Sequence, residues 1–72
     1  MENKNNMPEK LREKLKHSKT FITSDLRIVR YLEEEGIKPY NIEPSKKHKY
    51  INMFFYGNSS KLRACLHKYY EQ

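Results

Sequence analysis

The chain has 72 residues, with fifteen lysines and arginines against nine aspartates and glutamates for a formal charge of +6, and only 36% of its residues are apolar. Folding removes roughly 60% of the surface of so short a chain from water, which predicts one small domain and excludes a large enzyme with a deep, dry active site. Cys65 is the one cysteine, so no disulfide scaffold forms; no apolar run approaches the ~20 residues of a membrane span, and the start Met1–Asn6 lacks the apolar stretch of a signal peptide, so the expectation is a cytoplasmic binding protein that does not enter a membrane.

The charge is unevenly spread. Residues 1–20 carry an excess of +3, residues 21–43 an excess of −2, and residues 44–72 an excess of +5. A basic arm and a basic C-terminal half thus flank an acidic middle, a pattern that favours anionic partners. Plain solubility also accounts for a net charge of this size.

In chain order, residues 1–7 are polar and expected to be disordered. Pro8 then suits the first turn of a helix. Glu9 near its start and Lys14 and Lys16 near its end match the helix dipole. Its only apolar residues are Leu11 and Leu15, a narrow stripe, so residues 1–19 are expected to form a basic arm or a short helix that needs docking to persist. The remainder, residues 20–72, is expected to be a single domain. Thr20–Thr23 has the β-branched and aromatic content of a strand. Ser24 and Asp25 follow as a helix start, one of them the cap and the other a first-turn acid, and Gly36 closes the helix. Leu26, Val29 and Leu32 share its predicted apolar face, with Ile28 and Tyr31 beside it. Glu33, Glu34 and Glu35 oppose the dipole at its end; they are either a solvated helix end or an acidic contact patch for a basic partner.

Residues 37–43 are expected to form a second strand, with Pro39 at an edge or at its start. Residues 43–48 form a turn and Lys49–Tyr56 a third strand. After Gly57, Asn58 or Ser59 caps a last helix whose Leu62, Cys65, Leu66 and Tyr69 make a continuous apolar stripe. The predicted fold is therefore α+β: a small three-stranded sheet of antiparallel type with two main helices on one face, in the order β-α-β-β-α, after the basic arm or short helix. This order is close to a truncated ferredoxin-like plan.

Alternation divides the third strand into Ile51, Met53 and Phe55, expected to face the helices, and Tyr50, Asn52, Phe54 and Tyr56, expected to face away. Two helices cover one face of a three-stranded sheet, which leaves Tyr50, Phe54 and Tyr56 exposed. Three covers are conceivable: the arm folding back through Leu11 and Leu15, a second copy of the chain, or nucleic-acid bases stacked on the rings. The strand lacks the glycine that follows the leading Lys or Arg in the RRM strand motif, since Tyr50 follows Lys49.

Catalytic and metal chemistry find no foothold. His17, His48 and His67 are far apart, Cys65 sits in an apolar stripe, and Gly36 and Gly57 mark element ends and not a phosphate-cradling loop. Ser59, Ser60 and His67 lack a third group to orient the histidine, and the Glu run has no apolar pocket to raise a pKa. No enzyme activity, cofactor, metal or small-molecule substrate is expected.

The run Phe21-Ile22-Thr23-Ser24-Asp25-Leu26, then Tyr31-Leu32, Gly36-Ile37, the aromatic strand Met53–Tyr56 and the closing Tyr69-Tyr70 together resemble a family of short bacterial and phage domains of unknown function. The resemblance covers about residues 20–72 and omits the arm. Ile37 stands where that family more often has an aromatic. It implies a cytoplasmic setting in a bacterial or phage-infected cell and often a mobile-element origin, and brings no catalytic residues.

Three functions follow as expectations. The first is a nucleic-acid-associated module in which Lys46, Lys47, Lys49, Lys61, Arg63 and Lys68 contact phosphates, aided by Lys10, Arg12, Lys14 and Lys16, while Tyr50, Phe54 and Tyr56 stack. The second is a phage or mobile-element protein that binds and inhibits or regulates a host nucleic-acid-handling complex through Glu33–Glu35 or the aromatic face. The third is a homodimer joined through that face.

Overall fold

The computed structural model describes residues 7–71, so the disorder expected of residues 1–6 lies outside the described residues. Three helices, α1 (Glu9–His17), α2 (Leu26–Glu34) and α3 (Ser60–Glu71), accompany three strands, β1 (Thr20–Thr23), β2 (Asn41–Pro44) and β3 (Asn52–Gly57). The sheet order is β1-β3-β2, with β3 antiparallel to both neighbours. β1, α2 and β2 thus form a β-α-β crossover split by β3, the first part of a ferredoxin-like plan. The second strand is shorter and later than expected: it takes in Pro44 and excludes residues 37–40.

Local chemistry explains the helix ends. Asp25 caps α2, its carboxylate accepting the Arg27 N–H at 2.9 Å, so the cap is Asp25 and not Ser24. Arg27 also donates through its side chain to Asp25, which holds that carboxyl below its ordinary pKa. At the other end Gly36 has φ +85°; its N–H donates to the Glu33 carbonyl at 3.0 Å and the Ile37 N–H to Leu32 at 2.8 Å. These two bonds define a Schellman motif, which requires the left-handed residue that glycine supplies. Ser59 caps α3, its hydroxyl accepting from the Leu62 N–H at 3.1 Å.

One core joins every element but the exposed β2: Met7 and Leu15 from the α1 region, Phe21 from β1, Ile28 and Leu32 from α2, Tyr56 from β3, and Leu62, Cys65 and Leu66 from α3. Two expectations change here. Met7, expected to be disordered, is 3% exposed, and with Leu11 and Leu15 makes a stripe of four-residue spacing that docks α1 on the domain. Leu26, expected on the buried face of α2, is 66% exposed, because the face turned to the core is centred on Ile28 and Leu32.

The largest correction concerns β3. Tyr56 is 0% exposed at the centre of the core, and Phe54 packs against that core. Tyr56 pairs with Phe21, and Ile22 pairs with Phe55, so Phe54 and Tyr56 face the helices while Met53 and Phe55 face away. The expected assignment was inverted. Tyr50 lies outside the strand, in the turn before it, and is 97% exposed.

Candidate nucleic-acid interface

The sheet's uncovered face carries Thr20, Ile22, Asn41, Glu43, Met53 and Phe55 by alternation and register. Tyr40 lies partly over it: its ring sits 6.3 Å from that of Phe55, and its hydroxyl is 3.3 Å from the Thr20 hydroxyl. The chain's own tyrosine thus covers part of this face, while on the other face α1 supplies the cover expected of the arm: Met7 and Leu15 share the core with Tyr56, and Leu11 and Phe54 pack against it. Of the strand residues on this face only Glu43 is charged, so its electrostatics do not favour a phosphate backbone.

The basic residues fall into three places. Lys46, Lys47 and Lys49 are exposed in the β2–β3 hairpin. Ser45 shapes that turn, its hydroxyl accepting from the N–H groups of Lys47 and His48. Lys61 takes a different role: its ammonium lies 3.8 Å from where a Cβ on Gly36 would stand. A cation is thereby placed at the C-terminal end of α2, beside Glu33–Glu35, where it offsets both the acids and the helix dipole. Those glutamates are exposed, as a solvated helix end requires. Lys68, seven residues after Lys61, lies exposed on the same side of α3.

The third place is a groove of about 380 Å³ between α1 and α3, lined by Met7, Arg12, Leu15, Lys16, Arg63 and His67. Its floor is apolar and its four polar lining residues are Arg12, Lys16, Arg63 and His67, with no acid among them. Lys14 is not among them; it lies on the outer side of α1 with Glu9, Lys10, Glu13 and His17. The length of β3, six residues at about 3.3 Å each, separates this groove from the hairpin lysines. The expected basic surface is therefore divided, with the groove and the hairpin lysines at opposite ends of the sheet.

Asn58 builds the groove. Its Nδ2 donates to the Leu15 and Ser18 carbonyls, each at 2.7 Å, which secures the end of α1. Its Oδ1 accepts from Arg63 Nη1 at 2.9 Å, and Ser60 Oγ accepts from Nη2 at 3.2 Å. The guanidinium is half-buried and pre-positioned, with donors left over for an anion. Arg12 donates to the Met7 carbonyl at 3.2 Å, and Lys16 has only the exposed Glu13 at 3.8 Å, a pair of little energetic weight. Asn58 and His67 were not expected at an anion site. The spacing of Arg63 and His67, i and i+4 beside the apolar stripe of α3, is the signal that marks them.

At the far end of α3, Tyr31, Tyr69 and Tyr70 meet edge to face, with centroids 5.4 and 5.1 Å apart, and close the antiparallel α2–α3 pair. No helix among the described residues is long and apolar enough to cross a membrane.

The fold and the groove define a small α+β domain, a split β-α-β sheet backed by helices, with a prearranged basic cleft. The chain belongs to a family of domains of unknown function (DUF5659), whose model matches residues 18–72 and so begins just after α1. No curated protein and no solved structure matches it significantly.

Proposed function

We propose that the domain is a non-catalytic binding module for nucleic acid that takes the phosphate backbone in the groove between α1 and α3. The observation that carries this reading is the convergence of Arg12, Lys16, Arg63 and His67 on one groove with no acid among its lining residues. The hairpin Lys46, Lys47 and Lys49 supply a second, looser contact. The resemblance to short bacterial and phage domains supports a cytoplasmic setting in a bacterial or phage-infected cell. Phosphate contacts alone give affinities on the order of 10⁻⁴ to 10⁻⁶ M at physiological salt.

Titration of labelled single- and double-stranded nucleic acid at two salt concentrations tests the proposal. Arg12→Gln with Lys16→Gln should weaken binding and flatten the salt slope by about 2. Lys46→Glu with Lys47→Glu should weaken it less and leave the fold intact. Absence of binding at low salt ends the reading.

A second reading is supported by the uncovered sheet face, where Ile22, Tyr40, Met53 and Phe55 offer apolar surface to a protein. The domain would then bind a host nucleic-acid-handling complex. Retention of that complex from host extract after nuclease treatment is its test. A homodimer through the same face would bury about 800 Å² on each copy; light scattering at high concentration decides it.

A further inference from the structure

We infer that α1 is the movable jaw of the groove, so that docking of the helix and occupancy of the groove by a phosphate group are coupled. The inference rests on the groove being the anion site proposed above. It starts from how α1 is held. Nine residues are too few for a helix to persist alone in water, so α1 is ordered by what it touches. Those contacts are the narrow Met7–Leu11–Leu15 stripe and the two Asn58 bonds to Leu15 and Ser18. The ion pairs of α1 among the described residues are internal, Lys16 and His17 both with Glu13. No ion pair joins α1 to the rest of the domain there. The family domain, residues 18–72, begins where α1 ends.

Electrostatics opposes the docking. Arg12 and Lys16 on α1 line the same groove as Arg63 on α3, and the lining contains no carboxylate to separate them. Like charges brought together across a groove repel within a Debye length of about 8 Å at physiological salt. A phosphodiester oxygen seated there accepts from both walls at once and turns the repulsion into a bridge. Asn58 links the two events directly, because the amide that holds the end of α1 also holds the Arg63 guanidinium. An anion that binds only the closed groove stabilises the docked helix by the free energy of its binding. Removing α1 would in turn remove Arg12 and Lys16, two of the three fixed positive charges of the groove.

Hydrogen exchange on the full chain tests this. Amides of residues 9–18 are followed with no addition, with a DNA duplex about one helical turn long, and with inorganic phosphate, all at ionic strength matched with sodium chloride. At saturating duplex the α1 amides should gain protection by about fivefold or more, while those of β3 stay unchanged. Lys16→Gln should shrink the gain in α1 protection that duplex brings. If the duplex binds and α1 protection does not move, or if Lys16→Gln leaves the gain with duplex intact, the coupling is wrong although the nucleic-acid reading stands. A gain with inorganic phosphate and no duplex binding upholds the coupling and removes the nucleic-acid reading. If neither probe binds, both fall.

Discussion

The two faces of β3 are equally apolar in composition and opposite in fate. Phe54 and Tyr56 lie under the helices; Met53 and Phe55 lie on the uncovered side, with Tyr40 partly over Phe55. Apolarity therefore does not decide which face a helix covers. The decision belongs to the partners: Tyr56 stands beside Phe21, the ring centroids 6.0 Å apart, and both belong to the core that α1, α2 and α3 complete. A covered face supplies stability, and an uncovered one supplies contact surface.

The sharpest break of this comparison is a pair of truncations on one strand. Tyr56→Ala should cost about 3–5 kcal/mol in denaturant unfolding, the range for a large buried aromatic. Phe55→Ala should cost about 1 kcal/mol, a common value for a partly exposed site. Equal losses would mean that both faces are core. Next in size, Leu15→Ala should cost about 2–3 kcal/mol, because α1 belongs to the covering layer. A negligible loss would return the helix to the status of a loose arm.

Tyr56→Phe has a smaller effect of the opposite sign. The Tyr56 hydroxyl is buried without a hydrogen-bond partner among the described residues, so its removal should be neutral or stabilise by about 1 kcal/mol. Burial, with the nearby Glu33 charge adding, pushes the Tyr56 phenol above its ordinary pKa. The folded state thus holds this proton more tightly than the unfolded state. The group's contribution is intact below the unfolded pKa of about 10 and is lost as pH rises beyond it. Tyr56→Phe should therefore flatten the alkaline fall in stability; an unchanged pH profile would assign that fall to other groups. The smallest effect belongs to the uncovered face. Ile22 is 43% exposed, and Ile22→Lys should change stability by no more than about 0.5 kcal/mol, whereas the same change at the adjacent Phe21 should prevent folding.

How far the chain announces this architecture depends on the element. β1, α2 and α3 were legible because each is bounded by strong local signals: β-branched residues, an Asx cap, a left-handed glycine, a serine cap. The orientation of β3 was not, because Ile51, Met53 and Phe55 compete with Phe54 and Tyr56 and a period of two has no preferred phase when both sets are apolar. The groove was legible only as two unconnected basic segments. Arg12 and Lys16 lie some fifty positions from Arg63 and His67, and no periodicity relates them.

By itself, then, the chain determined its class, its element order, the ends of its helices and its excess of positive charge. These follow from short-range chemistry: propensity, capping and the count of ionisable groups. Tertiary structure decided which face of β3 is buried, sent Lys61 to the acidic end of α2, and closed α1 on α3 to make one basic groove. Each of these choices is a contact between residues distant in sequence. Its energy comes from burying an apolar face or holding a charge in place, and no local pattern of residues contains it.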